Sequence, residues 1–376
     1  MKPIYLDYNA TTPIDNKVLE RMLPYFTEKF GNASSSTHYH GWQGKSAVEI
    51  ALNEVSNFLK VDNSELIFTS GSTESINLAI KGVFEKYQSK GKHFICSKLE
   101  HKATLDTFSY IEKKGAEVTY LNADKNGKIS LSELESSLRP DTVLVSIMLA
   151  NNETGIISDL KKPSELIHSN KSIFMSDITQ AVGKIEFDIN DLAIDLAPIS
   201  AHKFYGPKGI GALYVRRRDP RVALQEQING GGHQKGRRSG TLNVPGIVGF
   251  SEAIKIIDYH QASFMREIRD FFEDQMKRNF EVEIIGEDQN RLPNTSMICF
   301  KEVKAERLIS KCPKLSLSMG SACTSSYQEP SHVLKAMGLK ENLIEGAIRF
   351  SFGRNNQMEE VKEIIKELKQ GIDQII

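Results

Sequence analysis

The chain has 376 residues, 40% hydrophobic and 26% charged, with 48 basic side chains balanced by 48 acidic ones. This is the composition of a soluble globular protein with enough length for two or three domains' worth of core, and its zero net charge argues against nucleic acid or an anionic membrane as main partner. No run approaches the roughly 18–20 apolar residues of a membrane span, and MKPIYLDYNATTP lacks the apolar core and cleavage site of a signal peptide, so the expected location is the cytoplasm.

From Leu66 to Val215 short apolar runs alternate with helical patterns: LIFTS, HFICS, EVTYL, TVLVSIML, SIFMSD, LAPIS and GALYV. Most are continuous rather than alternating, as in strands covered on both faces of a largely parallel sheet. Stretches such as ESINLAIKGVFEKYQ and HKATLDTFSYIEKKG lie between them. The layout predicts an α/β doubly wound domain whose ligands sit at the carboxyl ends of the strands. Beyond the glycine-rich INGGGHQKGRRSGT, the stretch from Val244 to Phe280 predicts one long connecting helix. From Glu281 onward EVEII, TSMICF and AIRFSF, with helical AERLIS and the tail from Met358, predict a smaller α+β domain. The N-terminal segment could pack against either domain. DKNGKISLSELE from Asp124 looks like a calcium loop, but Gly127 stands fourth from the Asp rather than sixth, so a turn at Asn126-Gly127 is expected.

The four cysteines form no CxxC pair and no Cys/His metal spacing, so neither a metal site nor a disulfide framework is expected. Cys96 and Cys299 lie in strand-like runs and read as core, while Cys312 has no readable context. Cys323 sits in SMGSACTSSYQEP, Ser318 to Pro330, among small and hydroxylated residues without periodicity, and reads as a reactive thiol on a mobile loop.

Several segments place chemistry at strand ends. FTSGSTES puts Gly71, Ser72 and Thr73 at a strand-to-helix turn, which suits either a phosphate cradle or a capped helix. FMSDITQAVGK ends a strand with Asp177, followed by Gln180, and SAHKFYGPKGIG puts Lys203 directly after another. A lysine beside a low-dielectric crevice can lose its proton and form a Schiff base. KLEHKATLD supplies His101 and LANNETG supplies Asn151 and Asn152. Each has a plain structural reading as a cap, a turn or a solvated side chain. Their convergence on one edge of one sheet favours a shared site. A phosphate cradle, a carboxylate for a pyridine nitrogen, a Schiff-base lysine and a histidine describe a pyridoxal phosphate site.

With these residues in hand, the chain resembles the cysteine desulfurases of the IscS/NifS type, in the class V aminotransferase group of fold-type I pyridoxal-phosphate enzymes. The resemblance runs in order through YLDYNATTP, FGNASSSTH, FTSGSTES, EHKA, NNETG, DITQAVGK, SAHKFYGPKGIGALYVRR, GGGHQKGRRSGT, LPNTSM, GSACTSS and IRFSFGR. It implies a large cofactor-binding domain over residues 14–255, and a small domain of 1–13 and 256–376 carrying the cysteine loop. It implies that Lys203 holds the cofactor aldehyde, that His101 stacks on the ring and moves protons, and that Asp177 and Gln180 bond the pyridine nitrogen and the phenolic oxygen. Gly71, Ser72, Thr73, Ser200 and His202 would hold the phosphate, joined by Thr241 from the other subunit of a homodimer. Asn152, which would also contact the cofactor, and Arg349 would hold the substrate carboxylate, and Cys323 would be the nucleophile. The implied reaction converts L-cysteine to L-alanine and leaves a persulfide for a sulfur-acceptor protein, an iron–sulfur scaffold or a thiolation enzyme. No direct contact with nucleic acid or membrane is expected.

Ser72 stands where the family often has alanine, and Met319 where serine is common. The sequence ends at IKELKQGIDQII, short of the tail many IscS proteins use for scaffold docking, which leaves docking in question. A class V aminotransferase or selenocysteine lyase would use the same cofactor site. A non-catalytic sulfur relay would need no cofactor.

Overall fold

The computed structural model describes residues 3–319 and 330–375. The chain opens with a short strand, β1 (Ile4–Tyr5). The seven apolar runs then form β2 (Leu66–Thr69), β3 (His93–Ser97), β4 (Glu117–Leu121), β5 (Thr142–Ser146), β6 (Ile173–Met175), β7 (Leu196–Ser200) and β8 (Gly211–Val215). They make one sheet in the order β2-β8-β7-β6-β5-β3-β4. Every neighbouring pair is parallel except those of β8, which runs antiparallel to both β2 and β7.

Alternate side chains of these strands feed two separate cores. Phe68, Ile95, Val145, Phe174 and Ile199 pack on one side with the helices Tyr39–Leu59 and Val244–Lys255. Ile67, Phe94, Cys96, Leu144 and Met175 pack on the other with Ser72–Lys86 and Lys102–Glu112. Burial on both faces explains why the sequence shows continuous apolar runs. The edge strand β4 is the exception, with Glu117 exposed and its middle residues half-buried. At the other edge the Gln234 amide pairs with both the N–H and the C=O of Phe68, at 2.7 and 2.8 Å, and closes β2 to further pairing.

The stretch from Val244 to Phe280 is not one helix. It breaks into Val244–Lys255 and Tyr259–Asn279, because Asp258 turns to extended backbone and its side chain caps the second helix at His260 N–H. An Asx cap competes with the helix at that point and wins.

A second sheet follows, made of β9 (Val282–Ile284), β10 (Thr295–Phe300) and β12 (Ala347–Ser351), antiparallel in the order β12-β10-β9. Helices Tyr259–Asn279, Ala305–Lys311 and Glu360–Asp373 cover one face through Phe272, Leu308 and Leu368, and Val333, Leu334 and Met337 pack on the other. The N-terminal segment joins this smaller unit. β1 pairs in parallel with β11 (Leu315–Ser316), and Asp7 bridges to Ser351. Cys312 packs in the same core, and Cys96 and Cys299 are buried as expected. Asp124 closes a turn on Asn126 and Lys128 N–H, with Gly127 at φ 70°, in place of a calcium loop.

Candidate active site

The parallel strands deliver His101, Asn152, Asp177 and Lys203 to the carboxyl edge of the sheet, and Gly71–Thr73 follow β2 on the same edge. Helix Ser72–Lys86 has no side-chain cap: Gly71 is its N-cap, at φ 152°. Its first N–H groups have no intrahelical acceptor, and the helix dipole favours an anion there. A Cβ on Gly71 would lie 3.4 Å from Ser200 Oγ, so the missing side chain leaves room between turn and strand. Gly211 holds the turn from beneath: a Cβ there would fall 2.4 Å from Ile199 O and 2.6 Å from Gly71 Cα. An uncapped N-terminus with hydroxyls at Ser72, Thr73 and Ser200 is a cradle for a phosphate.

Lys203 follows β7 in a short 3-10 turn, and its Nζ donates to the carbonyls of Asn9 at 2.8 Å and Ala10 at 2.6 Å. Burial, reinforced by the Arg349 charge, pushes the lysine down to about 8. A substantial fraction is then the neutral amine that carbonyl chemistry requires. His202 is pushed down to about 4 by burial and by Lys203, and its Nδ1 lies 3.1 Å from Thr11 Oγ1, so it acts as a neutral hydrogen-bonding group.

His101 caps helix Lys102–Glu112, with Ala103 N–H donating to Nδ1 at 3.1 Å. Burial lowers its pKa against the pull of Asp177, so the neutral ring carries its proton on Nε2. Asp177 accepts from Thr179 N–H at 2.8 Å through one oxygen, and no hydrogen bond to the other is present among the described residues. Arg349 comes from β12 of the smaller unit. Its guanidinium donates to Asp7 Oδ1 at 2.6 Å and to Asn152 O at 2.9 Å, while Nε is buried with no partner among the described residues. An orphaned guanidinium N–H beside a polar crevice is available for a carboxylate.

Taken together, an uncapped helix start, a partly neutral lysine, a carboxylate at the sheet edge and a neutral histidine fit pyridoxal phosphate. Thr241 is exposed and makes no side-chain hydrogen bond among the described residues. Cys323 lies outside the described residues. Both flanks of its segment are anchored beside the site. Ser318 O accepts from Arg349 N–H at 2.7 Å, Ser331 Oγ donates to Glu153, and His332 donates to Glu100 O at 2.9 Å.

Several residues of the site have no local signature. Asp7 and Asn9 arrive from the N-terminal segment, and Glu100 stands beside His101 in the chain but points into the interior. Its carboxyl group accepts from Met148 N–H at 2.6 Å and lies 3.3 Å from Ser146 Oγ. The signal for the N-terminal pair was present only as the motif YLDYNATTP, since their contacts are with residues more than 140 positions away.

This fold and site define a class. The chain matches the class-V aminotransferase family over residues 4–364 and belongs to it. Within that family it belongs with the cysteine desulfurases of the IscS/NifS type. It is 47% identical to the cysteine desulfurase IscS of Haemophilus influenzae over 378 aligned positions, covering 99% of this chain and 93% of that one. Its fold superposes on a NifS-like protein with a TM-score of 0.92 at 36% identity, over the full length of both chains. It also superposes on SspA in complex with cysteine, with a TM-score of 0.83 at 33% identity, over 93% of this chain and 98% of that one.

Proposed function

We infer that the protein is a pyridoxal-phosphate-dependent cysteine desulfurase, which converts L-cysteine to L-alanine and hands the sulfur on as a persulfide of Cys323. The observation that carries this reading is the meeting of Lys203, Asp177, His101 and Arg349 at one sheet edge, in a chain so similar to cysteine desulfurases.

When bound, the cofactor supplies an electron sink that accepts the pair left by the broken Cα–H bond and so weakens the Cβ–S bond. The residues of the chain do the rest. Gly71, Ser72, Thr73, Ser200 and His202 hold the phosphate, with Thr241 contributed by a second copy in a homodimer. Asp177 keeps the ring nitrogen protonated, because an adjacent carboxylate favours the charged form. Gln180 bonds the phenolic oxygen. Arg349 and Asn152 grip the α-carboxylate and orient the Cα–H bond, converting a loose encounter into a fixed geometry. Lys203 holds the aldehyde and then, freed as a partly neutral amine, takes the Cα proton, while His101, whose Nε2 bears a proton, serves as a donor in the same proton traffic. The Cys323 thiolate attacks the substrate sulfur. An S–S bond forms as the Cβ–S bond breaks, the electron pair returns to the substrate carbon skeleton, and a proton at Cβ completes alanine. The acceptor is a protein of iron–sulfur assembly or of thiolation. The same reading divides the chain into a large unit over 14–255 and a small unit of 1–13 with 256–376. The separate cores of the two sheets support it. Among the described residues no helix is long and apolar enough to cross a membrane.

The test is Cys323→Ala. The variant is expected to keep the visible absorbance of bound pyridoxal phosphate and lose cysteine-dependent sulfide release and protein-bound persulfide. Undiminished turnover would overturn the nucleophile and favour an aminotransferase or a lyase that needs no thiol.

A further inference from the structure

Lys184 is a buried lysine, 7% exposed, for which the reaction as described has no use. It follows β6 in the run of turns that carries Asp177 and Gln180. Its Nζ donates to Gln180 Oε1 and, at 3.3 Å, to Asn9 Oδ1. No carboxylate pairs with it among the described residues. The charged groups that face it are Lys203 and Arg349, and with burial they hold it well below an ordinary lysine. Such an arrangement costs stability, so its position calls for a reason beyond packing.

The reason lies in the Gln180 amide. An amide has a donating end and an accepting end, and only its neighbours decide which faces where. Asn9 O can only accept, and it takes one N–H of Gln180 at 2.9 Å. Lys184 approaches the other end with N–H groups and takes Oε1. The two contacts favour one orientation of the amide and leave the second N–H of Nε2 without a partner among the described residues. Asn9 is itself clamped, with its Nδ2 donating to Thr295 Oγ1 at 2.8 Å and to Asn152 O at 3.2 Å, and its Oδ1 accepting from Asn294 Nδ2 at 3.1 Å.

We propose that Lys184 is a positioning residue for the cofactor: it locks Gln180 so that the amide presents an N–H, never its oxygen, to the phenolic oxygen of pyridoxal phosphate. This rests on the assignment of Gln180 to that oxygen in the functional reading above. A donor at that position stabilises the oxygen as an anion, so the proton shared near it leaves at lower pH. Without Lys184 only the Asn9 carbonyl opposes rotation of the amide, so the N–H is presented less firmly and the anion is less favoured.

The test is Lys184→Met in the holoenzyme, read by pH titration of the bound cofactor's absorbance and by equilibrium dialysis of pyridoxal phosphate. The midpoint is expected to rise by about one pH unit, the worth of one neutral hydrogen bond, and the dissociation constant by about tenfold. In a Gln180→Ala background the same substitution should move the midpoint no further, which a merely structural role would not predict. If K184M lacks a native thermal transition, K184Q is read in its place. Its amide can meet either end of Gln180, and a smaller rise is expected. An unchanged midpoint, or a full additional rise in the Gln180→Ala background, overturns the proposal. Wild-type protein that takes up no pyridoxal phosphate would overturn this proposal and the functional reading together. Normal uptake with an indifferent K184M or K184Q overturns this proposal alone.

Discussion

Replacing Glu100 by glutamine removes one titratable proton from the interior while keeping shape and hydrogen bonds. Glu100 is fully buried, its carboxyl accepts from Met148 N–H at 2.6 Å, and burial together with the Asp177 charge pushes it up to about 8. An unfolded glutamate titrates near 4.3, and at 1.36 kcal/mol per unit of pKa a gap of roughly 3.5 amounts to about 5 kcal/mol. The sign follows from the proton count. Between the two values the folded chain holds a proton that the unfolded chain has released. The contribution is therefore whole below about pH 4.5 and is lost as pH rises through 8. Glutamine has nothing to titrate, and its amide can accept from Met148 and donate to Ser146. Urea titrations of the cofactor-free wild type and E100Q at pH 5, 6.5 and 8 should diverge. The variant should gain steadily on the wild type as pH rises, by several kcal/mol over this range. Parallel stability curves for the two proteins would refute the reasoning, because they would mean that Glu100 is ionised in the fold as it is outside it.

Four further substitutions test the site and the fold that carries it. Arg349→Lys replaces a fork that holds Asp7 and Asn152 by a single point charge, and a charge-assisted hydrogen bond is worth about 1.5–3 kcal/mol. KM for cysteine is expected to rise by roughly 10- to 100-fold with a smaller change in kcat. Steady-state kinetics within twofold of wild type would remove Arg349 from the carboxylate site. Gly211→Ala puts a methyl group 2.6 Å from Gly71 Cα, and overpacking of this kind costs about 1–3 kcal/mol. Pyridoxal phosphate affinity should fall at least tenfold by dialysis, and an unchanged affinity would show that the cradle tolerates the shift. Arg291 and Glu273 form a buried bidentate pair at 2.8 and 2.9 Å, and removing one partner of such a pair costs about 3–5 kcal/mol. Arg291→Met should lower the thermal midpoint, and adding Glu273→Met should recover part of the loss. A single variant as stable as wild type would contradict that account.

The strands of the large sheet, the edge strand β4 apart, were legible because they are buried on both faces and must be apolar throughout, as in HFICS and LAPIS. His101, Asp177 and Lys203 were legible for a related reason, since a polar residue directly after such a strand falls at the sheet's carboxyl edge. The break at Ile256–Asp258 was not legible, because helical periodicity continues across it and only the Asp258 cap interrupts the backbone. Nor did local pattern reveal Asp7, Asn9, Glu100 or Lys184. Asn9 reads as a turn residue and Lys184 as a solvated lysine until the fold buries both against Gln180.

The sequence by itself determined the strand runs, the residues that follow them and the ordered motifs of a cysteine desulfurase, because hydrophobic period and turn chemistry are written locally. Tertiary structure alone decided how those residues are tuned. Burial beside Arg349 makes Lys203 titrate near 8, and an N-terminal segment bonded to both sheets' residues holds Lys203, Gln180 and Arg349 in register. Desolvation and nonlocal hydrogen bonds exist only once distant parts of the chain meet, so no window of sequence contains them.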